Sequence, residues 1–334
     1  MNFKKVRWGG IIGCGDVTEV KSGPAFQKVE NSELVAVMRR TGGALAKDYA
    51  ERHAVPTWYD DADALINDPN VDAVYIATPP DMHKEYTLKV AKAGKPVYVE
   101  KPMALNWAEC NEMISACNHA GIPLYVAYYR RAQPKFVKIK ELLDNNEIGD
   151  VRFVSTTQYQ RPGKDVTSSG NLPWRLNPDM SGGGLFFDLA SHTLDILDYL
   201  LGPMKEVQGL AANQAGNYQA EDIVTGNYRF ESGVHGIGSW CFSAYDDVDI
   251  NEIVGSKGKI TFPTFGNGLV SLTRIKSKEQ WSFKPPTHVH QPLIETIVAE
   301  LTGKKVICPS IGMTGGARTN WVMEEMTRSF KSYL

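Results

Sequence analysis

Asp188, His192 and Asp195 stand four and then three residues apart in an otherwise apolar run, S-G-G-G-L-F-F-D-L-A-S-H-T-L-D over 181–195. On a helix, positions three and four apart are neighbours, so this spacing predicts one stripe carrying two carboxylates and an imidazole. Leu189, Ile196 and Leu200 then face a core, and the glycines permit close backbone approach at the helix start. A carboxylate beside an imidazole orients and tunes an acid or base. The same spacing also suits a buried helix whose histidine is satisfied internally and whose aspartate caps a turn. A further group that can move a proton is Lys101, in Glu100-Lys101-Pro102 directly after an apolar strand pattern.

The elements that must position Lys101 read as alternating strands and helices. Val6–Ile12, Leu34–Met38, Val71–Ala77, Pro96–Glu100 and Pro123–Ala127 have strand character. Helical patterns cover 44–53, 60–66, 82–93 and 107–119. Asp81 is the expected N-cap of the third, and Gly94 and Gly121 are expected stops. Pro24 should break or restart the first helix. This alternation predicts a parallel, doubly wound sheet, whose ligands sit beyond the carboxyl ends of the strands. Gly13, Arg39, Thr78 and Lys101 all fall there.

Gly13-Cys14-Gly15-Asp16-Val17-Thr18 follows the first strand, and such a glycine turn before a helix is a cradle for phosphate. The dinucleotide fingerprint asks for Gly or Ala where Thr18 stands. At the end of the second strand the chain has Arg39, Arg40 and Thr41, with no carboxylate before Asp48. An acid there holds the ribose hydroxyls of NAD, whereas guanidinium groups pair with a 2′-phosphate. The reading therefore favours NADP over NAD, against the plainer view of two surface arginines over a helix end.

Composition narrows the partners. The 334 residues are 43% hydrophobic and 22% charged with net charge −2, which suggests about two soluble domains and gives no electrostatic case for nucleic acid or an anionic membrane. No apolar run approaches the ~18 residues of a membrane span. Five scattered cysteines fit a reduced, cytoplasmic setting. Neither they nor His235, His288 and His290 have metal-ligand spacing, so no metal is expected.

Beyond Ala127 the pattern changes, which places a dinucleotide-binding domain at 1–127 and a second domain at 128–334. A helix over 134–145 leads to a long strand, Val151–Gln160, and then a polar loop over 161–171. Trp174 and Arg175, just before the glycine run, and Arg131 are candidate substrate contacts, with an interface tryptophan and a solvated arginine as the bland alternative. After Gly202 the candidate strands are Glu206–Ala212, Ile223–Phe230, Val234–Phe242, Asp249–Gly255, Lys259–Phe262 and Leu269–Ile275. Terminal helices are expected over 293–301 and 317–330, the last packing back on the first domain.

G-C-G-D-V at 13–17, A-T-P-P-D-M-H at 77–83, A-K-A-G-K-P-V-Y-V-E-K-P-M at 91–103, and W-R followed by the glycine run are together similar to the glucose-fructose oxidoreductase / inositol dehydrogenase / rhizopine-catabolism family. The resemblance covers nearly the whole chain. It implies an α/β Rossmann domain followed by an α+β domain with a large, mostly antiparallel open sheet, a nicotinamide cofactor, and a sugar or polyol substrate. It further implies that Lys101 is the catalytic lysine, with Asp188 and His192 beside it. Gly13, Gly15, Asp16 and Val17 would hold the pyrophosphate, and Thr78, Pro79, His83 and Glu100 would line the cofactor crevice. The family's open sheet often packs on a partner subunit, so a homodimer or homotetramer is expected. The activity implied is reversible hydride transfer, with Lys101 or His192 exchanging the proton. A dinucleotide-sensing regulator and a cofactor-recycling glycoside hydrolase share the fold and are the alternatives.

Overall fold

The computed structural model describes residues 1–40, 43–167 and 172–331. They form two compact units. The first comprises Met1–Ala104, Ala108–Gln133 and Pro286–Ala317; the second comprises Leu105–Trp107, Pro134–Pro285 and the chain from Arg318 onward. This differs from a single cut at residue 127, because the chain returns to the first unit near its end.

The first unit holds a parallel six-stranded sheet of β1 (Val6–Ile12), β2 (Ser32–Met38), β3 (Thr57–Tyr59), β4 (Ala73–Ile76), β5 (Val97–Val99) and β6 (Leu124–Val126), in the order β3-β2-β1-β4-β5-β6. The central strands are buried on both faces, so they read as continuous apolar runs. One face carries Tyr75, Tyr98 and Tyr125, which lie in register across β4, β5 and β6. Buried phenols need partners. Tyr98 finds one in His290, 2.9 Å from Nδ1, and Tyr125 donates to Glu300 at 3.1 Å. Both partners come from the returning segment, whose helix Gln291–Leu301 buries Leu293, Ile294, Ile297, Val298 and Leu301 over this face. That polar and apolar match explains why 286–317 belongs with the first unit.

Local expectations meet two physical corrections here. Pro24 does restart the first helix, with Asp16–Val20 followed by Gly23–Lys28. Asp81, however, is no N-cap. Pro79 holds the chain extended, a 3₁₀ turn spans Pro80–Met82, and the helix starts at His83 behind Met82 with no side-chain cap. Strand β3 was not expected; three residues pair along the edge of β2.

The second unit is built on an eight-stranded sheet. Its strands are β7 (Val151–Tyr159), β8 (Met204–Ala212), β9 (Ile223–Phe230), β10 (His235–Cys241), β11 (Val248–Gly255), β12 (Gly258–Phe262), β13 (Val270–Arg274) and β14 (Ser277–Trp281). The order is β14-β13-β12-β11-β7-β10-β9-β8, antiparallel except for the parallel pair β7–β10. Its inner face packs Val154, Val224, Trp240, Ile253 and Ile260 against apolar stripes of the helices Pro134–Asp144, Ser191–Leu201 and Ala317–Lys331. The terminal helix thus lies with the second unit from Arg318 on, not with the first. On the outer face Phe153, Leu210, Ile237 and Ile250 are exposed.

Candidate functional site

In the first unit, β2, β1, β4 and β5 are adjacent, so their carboxyl ends form one edge. Gly13–Val17, Arg39, Thr78–Pro79 and Glu100–Lys101 follow those four strands. Gly13 adopts φ +100°, and a Cβ there would press on the Ala77 carbonyl oxygen at 3.0 Å. A Cβ at Gly15 would meet nothing within 4 Å among the described residues, which leaves that backbone open to a close ligand. Thr18 fits without distortion: it is fully buried and its hydroxyl donates to the Gly15 carbonyl at 2.6 Å. Arg39, half-buried, donates to the Cys14 carbonyl at 3.3 Å and so braces the glycine turn, while Arg40 is exposed.

Two buried groups fix the turn that carries Lys101. His83 is fully buried, with Nε2 2.9 Å from the Thr78 carbonyl and Nδ1 3.0 Å from that of Pro102. It ties the end of β4 to the turn after β5, and burial lowers its pKa. Glu100 is buried; one oxygen accepts the Lys101 backbone N–H at 3.1 Å and the other accepts the Tyr75 hydroxyl at 2.5 Å. Burial raises the Glu100 pKa. His290 Nε2 lies 3.6 Å from Glu100, and burial, then the positive Lys21, Lys101 and Arg130, push its pKa down to about 3. A neutral His290 makes this a polar contact and not an ion pair. Lys101 is half-buried, and its bond to Pro102 is cis.

These residues fit a dinucleotide. The Gly15 backbone is open, Gly13 makes the tight turn, and the Thr78 hydroxyl is buried with no hydrogen-bond partner among the described residues.

In the second unit the glycine run does not form one regular helix. Gly182 takes a left-handed conformation, φ +82°, and a Cβ there would meet the Leu105 carbonyl oxygen at 2.6 Å. A π-helical turn over Phe186–Ala190 follows, then an α-helix over Ser191–Leu201. Asp188 therefore sits on the π turn and His192 on the α-helix, a local irregularity often found at functional sites. Arg175 Nε lies 3.3 Å from Asp188 Oδ2, and its guanidinium sits 4.4 Å over the Trp174 ring. His192 is 4% exposed, with its ring edge-on to Phe265 at 5.8 Å. Asp195, the third member of the expected stripe, is 1% exposed and belongs to the interior.

The structure thus brings Trp174, Arg175 and Asp188 together. Arg131, in the first unit, is 3% exposed and donates to the Pro309 carbonyl at 3.0 Å. Residues 168–171 of the expected loop lie outside the described residues, and 164–167 form a short helix. Tyr75 and His290, which hold Glu100, carry no local signal of that role: Tyr75 is one apolar position in a strand pattern, and His290 lies 190 positions from Glu100. Among the described residues no group of three or more His, Cys, Asp or Glu could hold a metal ion.

Residues 8–128 match the model of an oxidoreductase family with an NAD-binding Rossmann fold, and residues 136–261 match the GFO/IDH/MocA C-terminal domain. A Formosa agariphila oxidoreductase is 40% identical over 88% of this chain and 90% of its own length. A myo-inositol 2-dehydrogenase of Thermotoga maritima is 29% identical over 81% of this chain and 78% of its own. Among solved structures, an aldose-aldose oxidoreductase from Caulobacter crescentus complexed with glycerol superposes with TM-score 0.85 at 27% identity, covering 99% of both chains.

Proposed function

The chain belongs to the GFO/IDH/MocA family of oxidoreductases and is an NAD(P)-dependent dehydrogenase acting on alcohol groups; from that premise we propose that its substrate is a sugar or polyol and its preferred cofactor NADP. The observation that carries the site assignment is the shared edge of β2, β1, β4 and β5, from which the glycine turn, Arg39, Thr78 and Lys101 project. Gly13, Gly15, Asp16, Val17, Thr78 and Pro79 hold the dinucleotide, whose nicotinamide supplies the hydride acceptor or donor. His83 and Glu100 fix the turn. Lys101 exchanges the proton of the reacting alcohol or carbonyl oxygen. Asp188 and His192 bind and orient substrate hydroxyls, and His192 can share the proton. Arg39 and Arg40 supply the cations for a 2′-phosphate.

The outer face of the second sheet supports a homo-oligomer. It exposes Leu210 (72%) on β8, Ile237 (56%) on β10 and Ile250 (48%) on β11, and the first two line a depression of about 680 Å³ with Thr157, Asn227 and Ser239. Titration with NADPH and NADH, followed by an absorbance screen of sugars and polyols, tests the reading. Failure of a folded protein to bind either nucleotide would sink it, and sugar release with no net absorbance change would favour a cofactor-recycling hydrolase.

A further inference from the structure

We infer that Gln158 is a substrate-binding residue that selects for adjacent hydroxyl groups, an inference that rests on the polyol reading of the site. Gln158 lies on the inner face near the end of β7 and is 2% exposed. Neither its Oε1 nor its Nε2 has a hydrogen-bond partner among the described residues.

Its neighbours show that the fold satisfies such groups elsewhere on the same face. Thr156 donates to Asn251 at 2.9 Å, Asn251 donates to the Thr264 hydroxyl at 2.9 Å, and Thr264 meets the Thr193 hydroxyl at 2.9 Å. Gln158 is left out of this network, and a buried polar group without a partner calls for an explanation.

Its location supplies one. Trp240 on β10 and Asp249 on β11 flank Gln158 in register. The Trp240 ring packs edge-on against Phe186, 5.2 Å away, on the π turn that carries Asp188, and its Nε1 is likewise buried without a partner. Asp249 accepts the backbone N–H groups of Thr264 and Phe265, and the Phe265 ring meets His192. Gln158 is therefore framed by Trp240, which packs on the π turn through Phe186, and by Asp249, which holds the segment whose Phe265 meets His192. An amide offers one acceptor and two donors, which pairs with two neighbouring hydroxyls, each both donor and acceptor. An apolar alcohol would leave half of the amide unpaired, and sites with buried polar groups reject such analogues strongly.

Gln158→Leu and Gln158→Met test this, two variants guarding against a misfit peculiar to one shape. Without ligand both should melt higher than wild type, since an unpartnered amide is removed. Thr156→Val should melt lower and shows what loss of an internal partner looks like. With saturating myo-inositol, D-glucose or glycerol as probe, any stabilisation of wild type should vanish in the Gln158 variants. KM for the best turned-over polyol should rise roughly tenfold or more, with the cofactor KM unchanged. An unchanged or lower ligand-free midpoint, or undiminished probe binding, overturns the role of Gln158. If no probe stabilises wild type, the polyol reading fails, and the ligand-free midpoint alone decides whether the amide is unpartnered.

Discussion

Arg175 Nε and Asp188 Oδ2 are 3.3 Å apart, so the carboxylate is met by a guanidinium that is itself stacked on Trp174. The Arg175 side chain is 38% exposed, and a pair of this kind adds at most about 1 kcal/mol to stability. Arg175→Ala should therefore barely move the thermal midpoint, yet lower kcat/KM for the polyol by roughly tenfold because Asp188 loses its fixed orientation. A large fall in midpoint with intact kcat/KM would make the pair structural.

Lys101→Met should lower turnover by about 10²–10⁴-fold while leaving NADPH binding within a few-fold of wild type. Glu100 and His83 hold the turn through the Lys101 backbone N–H and the Pro102 carbonyl, so the backbone survives the change. Fluorescence titration and steady-state rates on the same preparation give both readings, and normal turnover would remove the lysine from the mechanism.

Arg39 and Arg40 should separate on substitution. Arg40 is exposed, and Arg40→Ala should weaken NADPH about tenfold while sparing NADH. Arg39 also braces the glycine turn through Cys14, so Arg39→Ala should weaken both nucleotides. Equal losses for NADPH and NADH in Arg40→Ala would mean that this arginine meets no 2′-phosphate.

The buried His290 predicts an acid sensitivity. Its pKa falls from an ordinary 6.5 to about 3 in the fold, so the unfolded chain binds a proton there that the native one does not. The stability from a neutral His290 is complete above pH 6.5 and drains as pH falls toward 3. In that window one proton contributes a slope of about 1.4 kcal/mol per pH unit. Urea unfolding of His290→Gln across this range should show a shallower pH dependence than wild type. An identical dependence would assign the proton elsewhere.

Ile237→Lys places a charge on the exposed outer face of the second sheet. If that face joins copies of the chain, the variant should elute as a monomer on size exclusion while wild type elutes as a dimer or tetramer. A monomeric wild type would leave the face without that role.

Much of this arrangement was legible in the chain. The alternation of apolar runs with helical periodicity located β1, β2, β4, β5 and β6, and the same logic gave β9 as Ile223–Phe230. Two strands escaped. Thr57–Tyr59 is too short to show a period, and Ser277–Trp281 reads S-K-E-Q-W on a solvated edge, where nothing imposes apolar alternation. The parallel pairing of β7 with β10 is a long-range choice that no local pattern encodes. Within the site, Asp188 and His192 were visible by type and spacing, but the π turn that carries Asp188 was not, since three- and four-residue spacing reads the same whether or not one extra residue is wound into the helix. The role of His290 needs Tyr98 and Glu100, both far away in sequence.

The return of Gln291–Leu301 to cover Tyr98 and Tyr125 also orders events on the ribosome. The nascent nucleotide-binding sheet finishes its strands at Val126, but its tyrosine face stays bare until the helix emerges. At ~5–20 residues per second that wait lasts on the order of ten to thirty seconds, during which the later sheet is already being made. The unit that begins first thus stays incomplete until every strand of the second has been made.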